Sequence, residues 1–139
     1  MIQQVRAGYR KVFRLLYTPD LRAQILGLVS FICLTRGIAY IQFRDLPAGL
    51  EVISRLIPIW IFAVLWLVVA GAGWIVAYRH LKGRGVTILQ GTLFRLWGAG
   101  YATAWVLSGF GSMDWVAAAF YLAVAGIVSR IGRLEPGDD

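Results

Sequence analysis

Apolar residues fill four long stretches of this chain, and short segments rich in glycine, proline and charged residues separate them. We place the stretches at about residues 21–43, 57–78, 92–109 and 114–131. Each approaches the roughly 20 apolar residues that an α-helix needs to cross a hydrocarbon core about 30 Å thick. The pattern therefore predicts an all-α integral membrane protein, with a four-helix bundle of membrane spans in residues 19–132.

The start of the third span depends on polar residues. The apolar run begins near Val86, but Gln90 and Arg95 interrupt it. A helix over residues 92–109 already covers about 27 Å at 1.5 Å per residue. We therefore predict that residues 86–91 lie at the inner membrane surface and that Arg95 anchors the helix among the headgroups.

Two shorter segments complete the organisation of the bundle. Residues 50–56 precede Pro58 and predict a short helical lead-in to the second span. Residues 133–139 form a polar tail that is too short and too charged to fold by itself.

The first 18 residues predict a separate element, an amphipathic helix on the membrane surface. Over residues 2–17 apolar side chains fall in one helical arc, while polar and basic side chains take the remainder. Such a helix binds an anionic bilayer surface; the alternative is that it packs on the bundle's own loops. Thr18, Pro19 and Asp20 then suit the start of the next helix. The basic residues expected at the membrane surface are Arg6, Arg10, Lys11 and Arg14.

Composition agrees with a membrane location and bears on the choice of partner. Hydrophobic residues make up 59% of the chain and charged residues only 15%. The net charge of +7 comes from Lys and Arg residues that mostly flank the apolar runs. We therefore expect anionic lipid headgroups, and not nucleic acid, as their partners. The single cysteine, Cys33, lies inside an apolar run and gives no information on redox compartment.

The positive charges also predict the orientation. The N-terminal segment holds five Lys and Arg residues, the loop between the second and third spans three, and the C-terminal end two, ten in all. Only Arg44 and Arg55 lie on the opposite side, with Asp45 and Glu51 as neighbours. Because cationic flanks stay in the cytoplasm, we predict a multi-pass protein of the cytoplasmic (inner) membrane with both termini cytoplasmic.

Residues suited to catalysis or metal binding are not grouped in this sequence. His80 is the only histidine, so neither a histidine pair for a metal nor a histidine relay is available. No Asp or Glu lies in the middle of a span, and no serine has a nucleophile-elbow context. We therefore predict no catalytic, cofactor-binding or metal-binding residues and no enzyme activity.

Arg36 lies inside the first span and needs a partner. It is about 12 Å along the helix from Arg44, so its side chain can extend toward the outer interface. Asp45, Glu51 and Asp114 are the acids expected there. We predict an intramembrane ion pair of Arg36 with Asp114, because Asp114 begins the fourth span at matching depth. The alternative is a role in transport, for which a lone arginine without an acid inside the spans is poorly suited.

Small residues mark faces where helix backbones can approach closely. Gly71-Ala72-Gly73-Trp74 in the second span and Gly98-Ala99-Gly100-Tyr101 in the third echo each other, and the fourth span is rich in alanine. In membranes such positions favour helix packing. The glycines that we predict to pack helices are Gly71, Gly73, Gly98, Gly100 and Gly126.

Four features occur together along the chain. They are a basic segment before Thr18-Pro19-Asp20, the stretch Leu46-Pro47-Ala48-Gly49-Leu50 leading into Ile57-Pro58-Ile59-Trp60, an alanine-rich last span and a short charged tail. In this combination the chain resembles the small four-span membrane proteins of tailed phages of high-GC bacteria, often placed among holins and holin-like lysis proteins. The resemblance implies a protein that oligomerises in the cytoplasmic membrane and opens it without catalytic residues. The tail departs from the pattern, because many holins end strongly basic and this chain ends acidic.

Two functional hypotheses follow from these observations. In the first, the protein forms a homo-oligomer that permeabilises the membrane, as in phage lysis. In the alternative, it is a non-catalytic accessory protein that binds another membrane protein or a phage component through the same small-residue faces. The toxicity of expression distinguishes these two. A third hypothesis, a subunit of a small-molecule carrier, lacks a polar cluster for a substrate.

Overall fold

The computed structural model of this chain describes residues 19–43, 46, 48–79 and 81–133. The predicted surface helix at residues 2–17 and the tail from residue 134 onward lie outside the described residues. Over the described residues the protein is all-helical. The long helices are α1 (Pro19–Gln42), α3 (Ile59–Tyr78), α4 (Arg84–Leu107) and α5 (Asp114–Arg133), with a 3-10 turn (Ala48–Leu50) and the short α2 (Glu51–Ser54) between α1 and α3.

Proline and glycine set several of the helix ends. Pro19 is the first residue of α1, and Pro58 directly precedes α3. Proline suits these positions because its φ is fixed near the helical value and the first turn does not need its missing N–H. After α4, Gly109 and Phe110 have φ values of 67° and 66°, which end the helix in the left-handed region. The lead-in predicted for residues 50–56 is confirmed by the 3-10 turn and α2.

The prediction for the third span was wrong about where its helix begins. α4 starts at Arg84, so residues 86–91 belong to the helix. The physical reason is burial, because the side chains of Thr87 and Gln90 lie inside the bundle. Their polarity therefore does not mark a segment outside the helix. The other three long helices match the predicted stretches to within two residues at each end.

The long helices form two closely packed antiparallel hairpins. α1 packs against α3, and α4 against α5, over most of their lengths, whereas α3 and α4 approach at few backbone positions. Glycine allows this closeness, since a Cβ on Gly37 would lie 2.7 Å from Leu67 and one on Gly98 would lie 2.8 Å from Leu122. The start of α1, the link from α3 to α4 and the end of α5 share one end of the bundle, the terminal end; the opposite end is the distal end.

Aromatic side chains fill the space between the two hairpins. Trp66 of α3 packs edge-on against Phe94 and Trp97 of α4, with ring centroids 5.3 Å and 5.2 Å apart. Phe62 packs on Trp97 in the same way at 5.4 Å. Trp66, Phe94 and Trp97 are fully buried. Such edge-to-face pairs stabilise a core beyond the area they bury, and their bulk keeps the α3 and α4 backbones apart.

Three of the described helices are long and apolar enough to cross a membrane, namely Leu21–Gln42, Ile59–Tyr78 and Asp114–Arg133. Many large apolar side chains lie on the outside of the bundle; Leu28, Trp60 and Val68 are each more than half exposed. In water such a surface would be unfavourable, but lipid covers it without cost. These helices and this surface are compatible with a membrane protein.

Candidate functional site

The side chain of Arg36 lies among tyrosines about 9 Å from the distal end of α1. It is half-buried, and its guanidinium donates a hydrogen bond to the Tyr101 hydroxyl of α4 at 3.4 Å. Its Cζ lies 5.1 Å from the ring centre of Tyr121 on α5 and 5.9 Å from that of Tyr101. Tyr40, one turn along α1, accepts a hydrogen bond from the Trp97 indole N–H. We call Arg36, Tyr40, Tyr101 and Tyr121 the tyrosine cluster.

Aromatic faces hold the Arg36 charge in this cluster. A cation within about 6 Å of an aromatic ring centre is attracted by the negative face of the ring. The Tyr101 and Tyr121 rings stack on each other, with centroids 5.5 Å apart and planes inclined by 14°. Side chains from α1, α4 and α5 therefore meet at one cation, which ties the two hairpins together near the distal end.

The predicted ion pair between Arg36 and Asp114 is not formed in the structure. Asp114 is the first residue of α5, and its Oδ2 accepts a hydrogen bond from the Ser112 hydroxyl at 2.6 Å. A carboxylate is favourable at a helix N-terminus, so Asp114 is already stabilised in its own turn. The rings of Tyr101 and Tyr121 lie beside Arg36 and contact its guanidinium directly. Of the other acids considered, Glu51 is exposed on α2 and Asp45 lies outside the described residues.

A cavity of about 510 Å³ opens near this cluster at the distal end. Tyr101, Ser108 and Asp114 supply its polar lining, and Leu46 and Ala104 are among its apolar residues. Tyr101 both lines the cavity and binds Arg36, so a molecule entering the cavity would contact the residue that holds the cation. The lining offers hydrogen-bonding groups and one carboxylate.

A second polar contact lies in the terminal half of the core. The Gln90 amide of α4 donates a hydrogen bond to the Ser30 hydroxyl of α1 at 3.2 Å, and both side chains are fully buried. Gly73 of α3 packs directly against this pair, because a Cβ there would lie 2.5 Å from Gln90 Nε2. Hydrogen bonds of this kind help to fix helix positions in a membrane protein.

The five glycines predicted to pack helices fall into two groups. Gly73, Gly98 and Gly100 are buried, and a Cβ on Gly100 would lie 2.6 Å from the Leu50 side chain. A Cβ on Gly71 or Gly126 would meet nothing within 4 Å. The first three therefore lie where α3 and α4 pack closely on their neighbours, whereas Gly71 and Gly126 leave open space where a side chain would begin.

Gly126 belongs to an exposed row of small residues on α5. Ala119, Ala123 and Gly126 are exposed and follow each other at spacings of four and three residues, which places them on one side of the helix. Phe120 and Ile127, about half exposed, lie along one side of this row. We call Ala119, Ala123 and Gly126 the small face of α5. The outward side of α3 differs, because it presents large side chains such as Val64, Val68 and Ile75.

Arg95 is exposed near the middle of the 24-residue helix α4. Its guanidinium donates a hydrogen bond to the Ser129 hydroxyl of α5 at 2.6 Å. Ser129 lies about 6 Å inside the end of α5, so the side chain extends from mid-helix toward the terminal end. Arg95 therefore contacts α5 from the middle of α4, and its position at the headgroup level stays a prediction.

Sequence reasoning missed Tyr101, Tyr121, Ser30 and Gln90 as contact residues. A signal for the two tyrosines was present, since both lie about 9–11 Å from the distal ends of their helices, close to the depth of Arg36. Gln90 appeared only as an interruption of an apolar run. Nothing in a single sequence shows that this polar side chain faces Ser30.

The basic residues predicted at the membrane surface cannot be located in the structure. Arg6, Arg10, Lys11 and Arg14 lie outside the described residues. Among the described residues, no three His, Cys, Asp or Glu side chains are grouped so that they could hold a metal ion. Comparisons with protein family models, with curated proteins and with solved structures give no match to this chain.

Proposed function

We propose that this chain is an integral membrane protein of four crossing helices that acts by self-association in the bilayer and without catalysis. The observation that carries the proposal is the small face of α5, which is exposed on a helix long and apolar enough to span a membrane. The resemblance to holin-like proteins, which rests on sequence organisation alone, supports membrane permeabilisation as the outcome of that association.

The fourth crossing helix in this proposal is α4. It packs along α5 over most of its length, and short links join it to α3 and α5. If α3 and α5 cross the bilayer, α4 must return across it between them. Its 24 residues extend about 36 Å, which is sufficient. Mean hydropathy underestimates how well α4 suits a membrane, because Thr87 and Gln90, two of its polar residues, are buried inside the protein.

The proposed orientation puts the terminal end in the cytoplasm. It is supported by the ten-to-two distribution of Lys and Arg along the sequence. Two glycines with room for a side chain provide a matched test in a Cys33→Ala background, Gly111 at the distal end and Gly85 at the terminal end. An impermeant thiol reagent applied to intact cells should label Gly111→Cys and leave Gly85→Cys unlabelled. The reverse pattern would contradict this orientation.

Self-association through the small face of α5 follows from how helices interact in lipid. Lipid tails are as apolar as leucine, so burying large apolar side chains between helices gives little driving force there. Small residues instead let two backbones approach and gain van der Waals contact. Gly73, Gly98 and Gly100 already serve this purpose within the bundle, which leaves the small face of α5 for a second copy.

Induced expression in a bacterial host tests the proposed function. We expect growth arrest and loss of membrane potential, measured with a potential-sensitive dye. Gly126→Leu should abolish both effects, because the larger side chain separates the two α5 helices. Gly71→Leu is the matched control, since it also changes an unpacked glycine to leucine on a spanning helix but leaves α5 unchanged.

Strong and well-inserted expression without loss of potential would contradict the permeabilising activity. The accessory hypothesis would then replace it, with the small face of α5 binding a helix of another membrane protein. Equal effects of Gly126→Leu and Gly71→Leu would instead show that the small face of α5 is not the contact surface.

A further inference from the structure

Three arginines converge on a cavity of about 240 Å³ between α4 and α5 at the terminal end. Arg84 and Arg95 come from α4 and Arg133 from α5, and Thr87 and Ser129 also line the cavity. Among the described residues that line it, none carries a carboxylate. We call this the arginine cavity.

Close packing of α4 on α5 brings these arginines together. A Cβ on Gly132 would lie 3.1 Å from the Thr87 Cβ, and one on Gly91 would lie 3.2 Å from the Ser129 hydroxyl. The two helix backbones are therefore nearly as close as they can be beside the cavity. The fold therefore fixes the backbone positions from which the three arginine side chains extend to the cavity.

Ser129 acts as a positioning residue for Arg95. Its hydroxyl accepts a hydrogen bond from the Arg95 guanidinium at 2.6 Å and donates one to the Ala125 carbonyl oxygen at 2.6 Å. This chain of hydrogen bonds holds the guanidinium at the cavity. A guanidinium has five N–H donors, so Arg95 keeps donors available for a ligand.

We propose that the arginine cavity binds an anionic phosphate group. Three like charges around a small cavity repel each other, and an anion among them replaces this repulsion with attraction. Guanidinium groups match phosphate oxygens in geometry and bind them with paired, charge-assisted hydrogen bonds. The site lies at an end of the bundle, where both the headgroup of an anionic phospholipid and a soluble phosphate can reach it. The proposal is independent of self-association.

Lipid binding to the purified full chain in neutral detergent tests this site. Native mass spectrometry with phosphatidylglycerol and phosphatidylcholine as probes should show a preference for the anionic lipid. We expect Arg95→Gln to lower phosphatidylglycerol affinity about tenfold, because it removes charge-assisted hydrogen bonds. Arg130→Gln is the matched control; it removes the same charge from an exposed residue in the last turn of α5 and should change affinity less than about twofold.

Glycerol phosphate added in excess distinguishes the two sources of the ligand. Displacement of phosphatidylglycerol would show that the phosphate group alone is recognised, whereas retention would show that the acyl chains are also needed; both results support the site. No preference over phosphatidylcholine, or equal losses in Arg95→Gln and Arg130→Gln, would overturn it. If Arg95→Gln does not fold by circular dichroism, Arg84→Gln with Arg133→Gln replaces it, and Arg79→Gln with Arg130→Gln becomes the control.

Discussion

Two sets of small residues look alike in this sequence and lie in opposite surroundings in the structure. Gly73, Gly98 and Gly100 are buried, and a side chain at any of them would overlap a neighbouring helix or turn. The small face of α5 is exposed, and a Cβ on its Gly126 would meet nothing within 4 Å. The first set explains how the chain folds by itself. The second is a row of exposed small residues for which the described residues supply no partner.

This comparison separates folding from association at the level of single residues. A substitution in the buried set should unfold the bundle, whereas one in the exposed set should leave the bundle folded and change only what it binds. In a membrane both effects depend on backbone approach, because large apolar side chains gain little by leaving lipid. Substitutions at matched glycines test that separation.

Gly73→Leu should have the largest effect on folding. The new side chain would overlap Gln90 and Ser30, whose hydrogen bond joins α4 to α1, so the free energy of unfolding should fall by about 3 kcal/mol. Unfolding of purified protein in mixed micelles with increasing dodecyl sulfate, followed by tryptophan fluorescence, measures this change.

Gly71→Leu is the control for this substitution, two residues away on the same helix. It should leave the free energy of unfolding unchanged or raise it by up to about 1 kcal/mol, because leucine is the better helix former and the site is open. Similar losses for Gly71→Leu and Gly73→Leu would contradict the division into closely packed glycines and glycines with room for a side chain.

Tyr101→Phe should have an intermediate effect. It removes the hydroxyl that accepts from Arg36 and keeps the ring, so we expect a loss of about 1 kcal/mol. A double-mutant cycle of Tyr101→Phe with Arg36→Met should show coupling, because the hydrogen bond needs both side chains. Asp114→Asn should not couple to Arg36→Met in a double-mutant cycle. Strong coupling between Arg36 and Asp114 would indicate that they form the ion pair, in contradiction to the structure.

The sequence predicted three of the four long helices to within two residues, because a continuous apolar run marks the length of each of them. It failed at the start of α4, where the Gln90 side chain is buried and donates to Ser30, and so does not mark a surface. The sequence led to a predicted ion pair of Arg36 with Asp114, because oppositely charged residues can be identified without a structure. The faces of Tyr101 and Tyr121 hold the cation instead, and their convergence depends on helix rotation. Helix rotation also decides which glycines are buried.

Gly126→Leu should have the smallest effect on the isolated bundle. The site is open, so the free energy of unfolding should stay within about 1 kcal/mol of the parent value. The same substitution should remove self-association, which size-exclusion chromatography with light scattering can follow in mild detergent. A monomeric parent protein, or a variant that remains oligomeric, would count against the small face of α5.

Cysteine cross-linking in native membranes tests the central claim most directly. In a Cys33→Ala background, Ala123→Cys places a thiol midway along the small face of α5, and Val68→Cys places one at the matching depth on the exposed side of α3. Oxidation should convert Ala123→Cys into a covalent dimer, leave Val68→Cys monomeric, and give no dimer when Gly126→Leu is added to Ala123→Cys. Monomers at both positions, or equal cross-linking at both, would contradict self-association through the small face of α5.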